Sequence, residues 1–184
     1  MNILTNDLPD FVTVDGVNYT IRSDFKTWLK FHELISDRKI TADKLTDILI
    51  LIYIKEIPRT IQDAISAALR FYSCYEEKET KTNNSKPIMD FAQDSGSIYA
   101  AFRQQYNINL TTAKLHWFEF RALLDNLTDS TKLVKIMEYR GMNISKIKDK
   151  ETKKFYRDMK RIYKLEDTRT DEEKEQELAE AFFG

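Results

Sequence analysis

This sequence is poor in the residues that break helices or build chemical sites, with 4 glycines, 3 prolines, 2 histidines and a single cysteine among 184 residues. Scarce glycine and proline argue against a turn-rich sandwich and leave room for long helices. The expected fold is therefore mainly α: one multi-helix globular bundle with a small N-terminal β-hairpin. A lone cysteine excludes an intramolecular disulfide and suits a reducing compartment. Cys74, in an apolar run beside tyrosines, reads as a buried structural thiol rather than a nucleophile. His32 and His116 lack a second His, Cys or carboxylate at HxxxH or HExxH spacing, so each reads as a hydrogen-bonded structural imidazole and no metal site is expected. Phosphate-cradling glycine loops and the G-x-S-x-G nucleophile elbow are absent, and the carboxylate runs Glu76-Glu77 and Asp171-Glu172-Glu173 lie in polar segments that suit a solvated face. The expectation is a non-enzyme without cofactor. The greasiest run, Ile48 to Ile54, is too short to span a bilayer, and MNILTNDLPD lacks the charged start and apolar core of a signal peptide, so a soluble, unexported, cytoplasmic chain without a membrane partner is expected.

Hydrophobic residues make up 42% of the chain and aromatics 12%, enough for a substantial core. Phe11 to Val14 and Val17 to Ile21 flank Asp15-Gly16, a pair suited to the positive φ angles of a type I′ turn, and predict a hairpin that must lie on the helices or pair with another chain. Ser23 or Asp24 can cap a helix through Phe25, Trp28, Phe31 and Ile35, and Thr41 can cap the next. In that second helix Ile50, Leu51 and Ile54 fill the faces left by Leu45, Ile48, Leu49, Ile52 and Tyr53, which predicts a central helix. Pro58 suits the first turn of a third, from Arg59 to about Glu77, with the stripe Ile61, Ile65, Leu69, Tyr72 and Cys74. The polar stretch 78–87 reads as a flexible loop inside a helical domain spanning 23–165, which follows an N-terminal hairpin segment, 1–22, and precedes an acidic C-terminal helix or tail, 166–184. Beyond the loop, Phe91, Ile98, Tyr99, Phe102 and Tyr106 fit a fourth helix, interrupted early by Asp94-Ser95-Gly96. Thr111 or Thr112 can cap a fifth carrying Trp117. Asp129 or Ser130 can cap a sixth ending at Gly141, and helices at Lys150 to Leu165 and Asp171 to Phe182 complete the series.

Net charge is −1, yet charge is segregated. Lys132 to Lys164 holds twelve Lys/Arg against four acids, and Glu166 to Glu180 holds eight acids against two bases. Lys153, Lys154, Arg157, Lys160, Arg161 and Lys164, with Phe155, Tyr156 and Tyr163 interleaved, would suit a nucleic-acid backbone. Mutual neutralisation with the acidic stretch, or plain solvation, explains them more simply, and nucleic acid is not the expected partner. The terminal Phe182 and Phe183 can alternatively fold into a groove, in cis or on a neighbouring subunit.

Three aromatic-rich segments follow one another between Thr112 and Lys164: LHWFEFRALLDNL, LVKIMEYRGMNI and KKFYRDMKRIYKL. With VDGVNYTIRSDFKTWLKFHELI and FAQDSGSIYAAFRQQYNINL, they give the chain a resemblance to the gene-product-fifteen family of tailed phages of Gram-positive hosts. That resemblance implies a tail assembly chaperone, encoded between the tail tube and tape measure genes, that coats the tape measure protein in the host cytoplasm until tube subunits replace it and is absent from the finished virion. The implied partners are the tape measure protein, with the tail tube protein, a second chaperone form and further copies of the chain as additional ones. An apolar groove between helices would mask the tape measure's apolar stripe, and exposed members of the set Trp28, Trp117, Phe118, Phe120 and Tyr139 are the expected lining. A structural tail or connector component retained in the virion, or a nucleic-acid-binding regulator using 146–164, are the alternatives.

Overall fold

The computed structural model describes residues 3–36, 41–76 and 87–167. Within them the chain forms an antiparallel hairpin, β1 (Phe11–Val14) and β2 (Val17–Thr20), followed by α1 (Phe25–Ser36), α2 (Ala42–Ile52), α3 (Ile61–Tyr72), α4 (Ser95–Tyr106), α5 (Trp117–Asp125), α6 (Lys132–Gly141), a 3-10 turn at Ile144–Lys146 and α7 (Lys150–Ile162). The mainly α architecture with a small N-terminal hairpin is as the composition predicts. The expected helix at 171–182 and almost all of the loop at 78–87 lie outside the described residues.

Asp15 and Gly16 take φ of 50° and 77°, the paired positive values of a type I′ turn, and set the register Val12 opposite Tyr19. The hairpin lies on its own helices. β1 packs on α3, and the strand continues past β2 so that Arg22 N–H donates to Ile52 O at 2.8 Å and Ile54 N–H to Thr20 O at 3.2 Å. Two residues on, the same stretch pairs with the start of α5: Phe25 N–H donates to Leu115 O at 3.1 Å and Trp117 N–H to Ser23 O at 2.7 Å. Residues 20–25 thus form a short backbone spine to which both halves of the helical array attach.

The core assembles around that spine. Trp28 stacks on Phe71 at 4.6 Å, Trp117 stacks on Tyr72 at 5.1 Å and on Phe120 at 5.8 Å, and the two indoles are 6.5 Å apart. Burying indole N–H groups requires acceptors. Trp28 Nε1 donates to Arg22 O and Trp117 Nε1 to Tyr72 O, both at 2.8 Å.

Several local expectations are corrected. α3 begins at Ile61 under a Thr60 cap, so Pro58 lies ahead of it rather than in its first turn, and it stops at Tyr72 because Cys74 and Tyr75 both take left-handed φ angles. Its inward face is Ala64, Ala67, Ala68 and Phe71, while Ile61 and Leu69 from the predicted stripe are exposed. Small residues let the helix approach the strand closely, and the Tyr53 hydroxyl donates to Ala64 O at 2.8 Å. α2 is not central, since Ile50 on α2 and Ile54 just past it are exposed. Asp24 caps α1, accepting from Thr27 N–H at 3.1 Å, and Thr41 caps α2 as expected. α5 is capped by His116 in a reciprocal box with Glu119, not by Thr111 or Thr112, and α6 by the buried Thr131, not by Asp129 or Ser130. α4 starts only at Ser95, after a turn over 91–94, and α7 ends at Ile162, short of Leu165.

Candidate partner-binding surfaces

Four of the five aromatic residues expected to line a groove are buried rather than exposed. Trp28, Trp117 and Phe120 are fully buried and Phe118 is 5% exposed, because they pack on one another and on Phe25 and Phe31 of α1 and Phe71 of α3. Tyr139 on α6 is half-buried among Phe155, Tyr156 and Tyr163 of the α7 segment, stacking on Tyr163 at 5.8 Å. It holds α7 to the body. No surface joins all five.

The basic set is also divided. Lys154, Arg157, Arg161 and Lys164 are exposed, whereas Lys153 and Lys160 are half-buried and Lys160 Nζ donates to Met142 O at 2.7 Å. Arg161 faces Asp158 across 3.6 Å, which lowers the net positive field on that side.

The geometry instead forms a cleft between α1 and α4, missed in the sequence because its members come from four separate stretches. Phe25 and Leu29 of α1, Phe91 and Ser95 at the head of α4, Ile98 and Tyr99 within it, Leu110 and Thr111 after it, and Phe120 of α5 enclose about 170 Å³. Hydrocarbon dominates the walls. The periodic apolar positions on both sides were visible, but Phe91 reads as part of the α4 stripe when it actually sits in the turn before the helix. Asp90 builds that turn by accepting from Ala92 N–H at 3.0 Å and Gln93 N–H at 2.8 Å, and Asp94 closes it by accepting from Asp90 N–H at 3.0 Å. Lys26, next to Phe25, donates to Thr111 O at 2.7 Å and pins the far wall. A second hollow, near 370 Å³, lies between the hairpin residues Val14, Val17 and Tyr19 and the α3 entry residues Arg59, Thr60 and Asp63. Ile50, Ile54, Ile57, Ile61 and Leu69, on α2, α3 and the connection between them, are each exposed.

The titratable side chains singled out in the sequence each have partners within the fold. His32 Nδ1 lies 2.6 Å from the Tyr72 hydroxyl, and burial lowers its pKa below the usual 6.5. His116 accepts from Phe118 N–H through Nδ1 and donates to Pro9 O through Nε2 at 3.0 Å, a pattern that assigns the neutral Nε2–H tautomer. Burial pushes the Cys74 thiol up to about 11, which disfavours the thiolate. Among the described residues no group of three or more His, Cys, Asp or Glu is placed to hold a metal ion, and no helix is long and apolar enough to cross a membrane.

Residues 4–165 match the family described as Bacteriophage Gp15 protein. No curated protein and no solved structure matches the chain.

Proposed function

Since the chain belongs to the Bacteriophage Gp15 protein family, we propose that it is a non-enzymatic tail assembly chaperone that binds the tape measure protein and keeps it soluble in the host cytoplasm, leaving before the virion is complete. The observation that carries this reading is the α1–α4 cleft, an apolar recess sized for one large side chain; elsewhere the described chain also exposes Ile54 and Ile57 along the α2–α3 connection. An amphipathic helix needs such features: one pocket for an anchor and apolar surface to cover the rest of its stripe, with no reacting group. Repeated binding along a long tape measure favours several copies of the chaperone side by side, with the tail tube protein or a second chaperone form arriving later.

Co-expression with the tape measure protein of the same phage tests this. The expected result is a soluble complex of defined stoichiometry that Leu29→Glu, in the cleft wall, weakens; an insoluble tape measure with no association overturns the reading. Mass spectrometry of purified virions separates the alternative, since a retained structural component is found there and a chaperone is not.

A further inference from the structure

We propose that the solvent face of α7 is a sequence-independent docking surface for the phosphate backbone of duplex DNA. The face follows from helical spacing. Lys150, Lys154, Arg157 and Arg161 recur at steps of four, three and four residues along α7, which places them within about 60° of arc on one stripe. All four are exposed. At a rise of about 1.5 Å per residue the stripe is roughly 16 Å long and carries a cation at about every 5 Å. Lys146 and Lys148 before it and Lys164 after it are exposed too, so the chain stays basic at both ends of the stripe. The other side of the helix is used to hold the body: Tyr163 stacks on Tyr139, the Tyr156 hydroxyl donates to Glu138 Oε1 at 3.0 Å, and Lys160 Nζ donates to Met142 O.

Helix stability does not account for the stripe. Like charges three and four residues apart on one helix face repel, and Lys150–Lys154, Lys154–Arg157 and Arg157–Arg161 are three such neighbours in succession. Lys150 and Lys153 also stand in the first turn, where the helix dipole disfavours cations. Carboxylates relieve little of this. Asp158 meets Arg161 at 3.6 Å in an exposed pair, which contributes little in water. Asp149 is engaged by Thr152 N–H at 2.7 Å and Glu138 by Tyr156, while Glu151 lies about 100° round the helix from Lys150. Past Lys164 the chain runs to the turn before α4, where Gln93 holds the backbone of Glu166. An arrangement that breaks local helix rules without compensation inside the fold marks a functional surface.

What the stripe lacks identifies its occupant. It holds no apolar residue, whereas a protein partner needs desolvated aromatic or aliphatic anchors at the centre of the contact. An anionic bilayer would draw on Phe155 and Ile162, 48% and 61% exposed, but Glu151 and Asp158 stand between those two and the cations. A DNA backbone needs neither anchor nor insertion, because each phosphate neutralised releases condensed counterions. The major groove of B-form DNA, about 12 Å wide, also lets the exposed side of a helix come down among its phosphates, whereas the A-form groove of duplex RNA is too narrow. Contacts to phosphates alone carry no sequence information. At about 0.1 M salt fields decay over roughly 10 Å, so the stripe rather than the chain's net charge of −1 governs the approach. The inference stands apart from the chaperone reading and uses a different face of the molecule.

Fluorescence anisotropy of a labelled DNA duplex titrated with the full-length protein, at salt concentrations from about 50 to 200 mM, tests it. The expected result is binding whose logarithm falls with the logarithm of salt at a slope of about −3 to −4, the value for four phosphates. K154E/R157E should weaken binding about tenfold or more and flatten the slope by about 2. Its urea midpoint should equal or exceed that of the wild type, since like-charge neighbours are relieved, and this reports intact folding. K30E/K55E makes the same change in net charge at exposed positions away from α7 and should shift affinity less than about twofold. No binding at the lowest salt overturns the proposal, and so does an equal loss in the two variants, which assigns the effect to net charge. Tighter binding of polyglutamate, of anionic phosphatidylserine vesicles or of an RNA duplex also overturns it and reassigns the face to that class. Tape-measure solubilisation plays no part in these readouts, so failure here and failure of the chaperone reading are distinguishable.

Discussion

Arg140 grips Asp94 through both carboxylate oxygens, with contacts of 2.6 and 2.9 Å, and the same guanidinium donates to Tyr163 O at 2.6 Å and Ile88 O at 3.1 Å. One side chain on α6 therefore ties together the entry to α4, the C-terminus of α7 and the segment that re-enters at Pro87. Both partners are nearly buried, and removing one leaves the other charge without compensation. Arg140→Met is expected to cost about 3–5 kcal/mol, read as a fall in the urea midpoint, and Asp94→Asn to cost nearly as much. A double mutant close to either single confirms that the pair acts as a unit.

The rotated face of α3 gives a second prediction. Ala64→Leu and Ala68→Leu overpack the junction with β1 and should destabilise by about 1–3 kcal/mol, whereas Ile61→Ser, on the exposed side, should stay within roughly 0.5 kcal/mol of wild type. The reverse ranking would restore the register that the large aliphatic residues suggest.

Acid sensitivity should centre on His32. Its folded pKa is depressed by burial, so between the folded and unfolded values the unfolded chain binds more protons, and stability rises with pH across that window. The contribution is complete above about 6.5 and is lost as pH falls through the depressed folded value. Urea midpoints measured from pH 7.5 down to 5 should decline more steeply for the wild type than for His32→Gln; parallel curves would contradict the assignment.

Cys74 should resist modification while the protein is folded. With the thiol half-buried and its pKa pushed up to about 11, reaction with an aromatic disulfide reagent at pH 8 is expected to be much slower in buffer than in denaturant. Equal rates would show that the turn at 73–75 opens readily.

The two indoles supply a direct check on the core. Trp28 and Trp117 are both fully buried, so acrylamide should quench native fluorescence weakly and unfolded fluorescence strongly. Trp117→Phe leaves the Tyr72 carbonyl without its donor and should cost about 1–3 kcal/mol from that bond alone.

Local signals in the sequence were reliable where a single chemical rule decides the outcome. Asp15-Gly16 fixed the hairpin because both positions need positive φ, and Asp24, one of the two caps offered for α1, and Thr41 mark helix starts, whereas the same short-acceptor signal misplaced the caps of α5 and α6. Failures arise where tertiary contacts choose between locally equivalent options. α3 carries two possible inward faces, and the strand beneath it selects the alanines. His116 is a rare cap, and its selection depends on Pro9, more than a hundred residues earlier. The aromatic set was recognised as important, yet aromatic side chains serve a core and a groove equally well in sequence. The cleft was illegible for a similar reason: its walls come from Phe25, Phe91, Leu110 and Phe120, which nothing in the linear pattern brings together.

The spine at residues 20–25 has a consequence for the order in which the protein is made. Its first half pairs with residues 52–54 and its second with residues 115–117, so Trp28, Phe31 and Phe71 leave the ribosome well before the α5 rings that cover them. At about 5–20 residues per second, the interval between synthesis of Phe71 and of Trp117 is roughly 2–9 s. For that time the nascent chain carries an unfinished aromatic core, the kind of exposed surface on which aggregation starts.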